Sequence, residues 1–215
     1  MYEGEAVSPE RRLVLSYAPS PARAGLTALM ALDDRLGAIV RRASEPMIGL
    51  MRLTWWAEAL DALDAAPPPP EPLLRALAAV DVRGAALARM TDGWEVLLGD
   101  EPLDDAALAT FGRERGGRLF AAMAALSEAD DPRVAPAGEG WALADLAAHL
   151  TDREAAARAG RMARDRLGGL FAARWPAPLR ALGALALLAR SDLAGGRTGA
   201  PGRVGRLMLH RLTGR

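Results

Sequence analysis

Nowhere along this chain do apolar and polar residues alternate over a useful length, and that constrains the fold more than any other feature. Without alternation there is no half-buried sheet. What remains is long runs dominated by Ala, Leu and Arg, all good helix formers, with valine and isoleucine scarce. The chain therefore reads as all-α.

Breakers divide it into helices. Ser8-Pro9 and Ser20-Pro21 each set a capping residue before a proline at the first helical position. The first pair predicts a short helix to Tyr17, the second a longer one to Arg42. Glu45-Pro46 opens another, which stops before the stiff proline run at 67–72. Further helices are expected near 72–80, 83–98, 104–127, 140–167, 177–194 and 201–212, with 127–140 a loop. The 215 residues suit one domain spanning 1–215, without need of disulfides. The proline run is the one candidate boundary, and too few residues precede it for a comfortable separate core.

Cysteine is absent, which removes thiolate chemistry and cysteine metal sites. Only two histidines, His149 and His210, are present. Acidic and basic residues balance at 27 each, so bulk charge gives no reason to expect nucleic acid as a partner. No run of about 18 apolar residues exists, and the first residues do not resemble a signal peptide. The expectation is a cytoplasmic protein, soluble or peripheral at the inner face of a membrane.

Four clusters carry candidate chemistry. In "EPMIGLMRLTWWAEAL", at about 100° per residue, apolar side chains cover nearly the whole circle around Arg52, Trp55 and Trp56. Such a helix is expected to be buried. Arg52 is then either an internal ion-pair partner, with Glu45, or a fork for phosphate or carboxylate. In "LMALDDRLGAIV", Asp33 shares a stripe with Leu26, Leu29, Leu36 and Val40, while Asp34 lies on the polar side. Asp33 is thus the inward carboxylate, and a buried carboxylate demands a partner or a metal. Asp145, His149 and Asp152 fall at i, i+4 and i+7 on one face, opposite Leu143, Leu146 and Leu150. They suit a metal site, a proton relay or a solvated face. "FGRERGGRLF" joins paired glycines to Arg113, Arg115 and Arg118, pointing to close helix contact or a bound anion. After Asp192 there are five arginines and no acid. The helix wheel there puts Val204, Leu207, Met208 and Leu212 on one face and Arg203, Arg206 and His210 on the other. It reads as a docked helix with a solvated basic face, or as a membrane-surface helix.

Residues 17–60, and "EPMIGLMRLTWW" above all, resemble the N-terminal part of the squalene/phytoene synthase family. "FGRERGGRLFAAMAAL" looks like a later helix of that family, and "PGRVGRLMLHRLTGR" resembles the ending of its short bacterial members. The resemblance implies an all-α isoprenoid synthase bundle with a central cavity. In such enzymes two D-x-x-x-D motifs face each other and hold Mg²⁺, which helps a prenyl diphosphate leave. Carried over residue by residue, Asp33 matches the first motif's opening aspartate, but Gly37 stands at its partner position. With Asp34 in register the partner is Ala38. Asp152 matches the second motif's first aspartate, and Ala156 stands where the second belongs. Asp145 or Glu154 could compensate.

These gaps align the chain with a branch resembling complex I assembly factors, which has degenerate aspartate motifs. The first expectation is therefore a non-catalytic binding or assembly factor with a protein partner, in contact with a membrane. One alternative is an active Mg²⁺-dependent head-to-head prenyltransferase acting on farnesyl or geranylgeranyl diphosphate. The other is a binder of a prenyl lipid. Candidate ligand-contacting residues are Arg52, Trp55, Trp56 and Arg115. Candidate metal ligands are Asp33, Asp145 and Asp152, with Mg²⁺ the cofactor if the protein is catalytic and none otherwise.

Overall fold

A computed structural model describes residues 9–99 and 101–215, and among these every regular element is helical. Ser8, expected to cap the first helix, lies outside the described residues. The helices are α1 (Pro9–Leu15), α2 (Arg23–Arg42), α3 (Pro46–Asp61), α4 (Pro72–Ala78), α5 (Gly84–Ala88) and α6 (Met90–Glu95). They continue with α7 (Asp105–Phe111), α8 (Arg118–Leu126), α9 (Val134–His149), α10 (Arg153–Leu167), α11 (Arg180–Leu193) and α12 (Pro201–Thr213). A π-helical stretch, Gly112–Gly117, joins α7 to α8.

The starts follow the expected chemistry unevenly. Pro46 stands in the first turn of α3 after an extended Glu45. Asp104 caps α7 by accepting the Ala107 N–H at 2.8 Å. Ser20 instead begins a 3₁₀ turn, Ser20–Ala22, that feeds α2 without a side-chain cap. The expected loop at 127–140 is shorter than the sequence suggested. Pro136 lies in the first turn of α9, where the N–H it lacks would have no intrahelical partner. The single helix expected at 140–167 is two, broken at Leu150–Asp152, where Asp152 caps α10 through the Glu154 N–H at 2.9 Å.

Apolar side chains from Val14 to Leu207 form one contiguous core. α9 is its axis, packed by α8, α10, α11 and the π-helical stretch. α2, α3, α4, α5 and α6 pack together beside it, α2 resting on α8. The proline run does not separate two cores, because α3 before it packs on α5 after it. Asp64 spans the same gap, accepting the N–H groups of Gly84 (2.6 Å) and Ala85 (3.0 Å).

Candidate functional site

The inward carboxylate of α2 is where its wheel placed it. Asp33 is 1% exposed, whereas Asp34 stays near the surface and receives two hydrogen bonds from Arg11. Opposite Asp33 stands Arg115, 3% exposed, carried by the π-helical stretch. Its Nε and one terminal nitrogen donate to the two Asp33 oxygens, each at 2.8 Å. Its other terminal nitrogen donates to Asp145 of α9 at 2.7 Å. One guanidinium thus bridges carboxylates from two helices, using the fork geometry that lysine lacks.

Three aromatic rings enclose that cation. The Arg115 guanidinium carbon lies 4.2 Å from the Trp94 ring centroid, 4.9 Å from Trp141 and 5.3 Å from Phe111. Burial opposes the Arg115 charge, but Asp33 and Asp145 outweigh it and raise its pKa above the ordinary arginine value. Burial likewise works against ionised Asp145, whose side chain is about one-third exposed; the attraction of Arg115 prevails and lowers its pKa.

Backbone packing makes this seat possible. A Cβ on Gly116 would fall 2.0 Å from the Gly138 carbonyl oxygen, and one on Gly138 would fall 2.1 Å from that of Gly116. Of the paired glycines, Gly116 makes the close helix contact, against α9, whereas a Cβ on Gly117 would meet nothing nearer than 3.7 Å. On the other side, a Cβ on Gly93 of α6 would meet the Arg115 backbone nitrogen at 2.8 Å. Glu114, also buried, is held between Arg113 and Arg118. Each of those two arginines gives its Nε to Glu114.

The remaining sequence candidates lie elsewhere. α3 is not buried all round: Gly49, Leu53, Trp56 and Leu60 face the core, and Met47, Met51, Arg52, Trp55 and Glu58 are exposed. Arg52 is therefore a surface residue, because α2, α5 and α6 cover only one side of α3. Trp55 is 46% exposed and meets buried Trp56 edge to face, while Arg35 lies over the Trp56 ring. Asp152 is an exposed cap and does not join Asp145 and His149 on one helix face. His149 does share α9 with Asp145, its Nδ1 at 2.7 Å from the Asp145 carbonyl oxygen. Of the seven candidates, Asp33, Asp145 and Arg115 come together. Sequence reasoning missed the aromatic enclosure by Trp94, Phe111 and Trp141. Its only signal was large aromatics beside glycine-rich helical runs.

A cleft of about 140 Å³ opens beside this trio, lined in part by Val40, Arg41, Trp94, Arg115, Asp145 and His149. That is below the roughly 300–1,000 Å³ of pockets that bury small-molecule ligands. Gly37, at the partner position of the first aspartate motif, faces the same wall. A Cβ there would lie 2.8 Å from the Trp94 ring and 2.7 Å from the Arg41 guanidinium. The residues fit Mg²⁺ poorly. Both Asp33 oxygens and one Asp145 oxygen already receive guanidinium N–H bonds, and Mg²⁺ calls for octahedral oxygen ligands. Among the described residues, no group of three or more His, Asp or Glu side chains is placed to hold a metal.

A family model described as squalene/phytoene synthase matches residues 5–168, well over half of the chain. No curated protein and no solved structure matches it.

Proposed function

We infer the function from one premise: this chain belongs to the squalene/phytoene synthase family, and its fold is the all-α isoprenoid synthase type. The reading we propose is a non-catalytic binding or assembly factor built on that frame. The observation that carries it is the Arg115 bridge between Asp33 and Asp145. In a prenyl-diphosphate enzyme, carboxylates from two motifs hold cations that offset a leaving diphosphate. Here a covalently attached cation already bridges one carboxylate from each side and offsets one of their two negative charges. The narrow cleft and the Trp94 ring beside Gly37 support the same reading, since both leave little space for a prenyl chain or a second carboxylate.

The working surface of such a protein is its exterior. A protein partner, of the respiratory-complex assembly kind suggested by the resemblance, would dock there, with the molecule peripheral to the inner face of a membrane. Among the described residues no helix is long and apolar enough to cross a membrane.

The test is pyrophosphate release from farnesyl and geranylgeranyl diphosphate, with and without Mg²⁺, paired with equilibrium binding of both compounds. We expect neither release nor binding. Mg²⁺-dependent release would instead overturn the non-catalytic reading, and a coupled C–C product from two prenyl diphosphates would make it a head-to-head prenyltransferase. Saturable binding without release would establish a prenyl-lipid binder.

A further inference from the structure

α12 docks by its polar side. Its buried residues are Arg203, Leu207 and His210, so Leu207 points inward as the sequence suggested, while Arg203 and His210 are buried beside it and Met208 and Leu212 face out. Arg203, 5% exposed, pairs with Glu10 of α1 and with Asp192 of α11. His210 is fully buried, with one ring nitrogen 3.1 Å from the Arg180 carbonyl and its ring edge-on to Phe171. Gly183 makes room for it, because a Cβ there would lie 2.7 Å from the imidazole.

The consequence is an outward apolar stripe. Met208 is 55% exposed, Leu209 56% and Leu212 77%. On the wheel, Pro201 and Gly205 complete this stripe. Arg206 borders it on one edge; Arg211 lies toward the other, its guanidinium over the Tyr17 ring, and Arg215 is exposed just past the helix end. No acid occurs in 193–215. An apolar stripe edged by guanidiniums matches a bilayer surface: the side chains enter the acyl boundary and the arginines meet lipid phosphates. The other exposed apolar stripe, Met47, Met51 and Trp55 on α3, has Glu58 within it and Asp61 beside it. Arg52 is exposed at its other edge, but the two acids outnumber that single cation, so the stripe suits an anionic surface less well than α12 does.

We propose that the outer face of α12 is the surface by which this protein docks on an anionic lipid bilayer. The inference rests on the membrane-peripheral placement above and assigns it to one helix. Each arginine brought to an anionic surface strengthens binding roughly fivefold, an effect that salt screens.

The experiment is co-flotation of the full chain with vesicles of phosphatidylcholine alone or mixed with phosphatidylglycerol. The expected result is salt-sensitive binding to the mixed vesicles only. The exposed-site double variant Met208→Glu/Leu212→Glu should weaken binding by more than about tenfold with unchanged thermal stability. Arg206→Gln/Arg215→Gln should flatten the salt dependence, and Met51→Glu should bind as the parent does. If the parent protein fails to float, both the membrane placement and the α12 assignment fall. If it floats and only Met51→Glu abolishes binding, the membrane placement stands and the assignment to α12 is wrong. A dimer that Leu212→Glu dissociates, without vesicle binding, would give this face to a second copy of the chain.

Discussion

At the residue scale, Arg115 and Asp33 decide the character of the interior. Both are almost wholly buried, and each would be costly alone. Truncating Arg115 leaves the Asp33 carboxylate without its counter-charge. Arg115→Met should therefore destabilise the fold by about 3–5 kcal/mol in chemical denaturation. Adding Asp33→Leu to Arg115→Met should recover part of that loss, because the wholly buried carboxylate is then gone and only the one-third-exposed Asp145 is left without its partner. If Arg115→Met is neutral, the bridge is not an interior ion pair, and the argument against a metal site loses its basis. The inward placement of Asp33 was legible from its stripe. Its partner was not, since 82 positions separate the two and no local pattern joins them.

Elements show where local preference and packing oppose each other. Gly116 and Gly117 lie inside a helical run, where glycine costs roughly 1 kcal/mol each relative to alanine. On propensity alone, Gly116→Ala should stabilise. The contact with Gly138 reverses the sign, because the new methyl would press on a carbonyl oxygen of α9. We expect a net loss of about 1–3 kcal/mol, the usual cost of overpacking, read as a lowered Tm. A raised Tm would mean that the π-helical stretch and α9 are free to separate. α3 makes the complementary point. Its wheel is apolar nearly all round, yet burial follows the neighbours it has, and one side has none. Pro136 similarly suggested a loop, and only its first-turn position in α9 reconciles it with a helix.

Across the whole molecule, the docking of α12 ties stability to pH. Burial lowers the His210 pKa below its ordinary 6.5, only partly offset by the hydrogen bond to the Arg180 carbonyl. A histidine that stays neutral when folded takes up a proton more readily when unfolded. Stability is therefore full above about pH 6.5 and falls as pH drops below it, until the folded histidine also protonates. The slope from this one group is at most about 1.4 kcal/mol per pH unit. Urea denaturation from pH 7.5 to 5 should show that decline, and His210→Gln should flatten it. A decline that persists unchanged in His210→Gln would assign it to other groups.

The sequence alone determined the helical class, because the missing alternation and the Ala, Leu and Arg runs act through local backbone preference and need no neighbours. It also determined that Asp33 points inward, a matter of phase on a single helix. The tertiary structure decided everything that depends on which faces meet. It paired Arg115 with carboxylates on α2 and α9, left Arg52 in solvent, made Asp152 a cap and turned the apolar side of α12 outward. A helix wheel ranks faces by hydrophobicity, but burial goes to the face whose partners offer the better fit. For α12, an ion-pair network at Arg203 and a glycine-lined seat for His210, with Leu207 between them, outweighed Met208, Leu209 and Leu212.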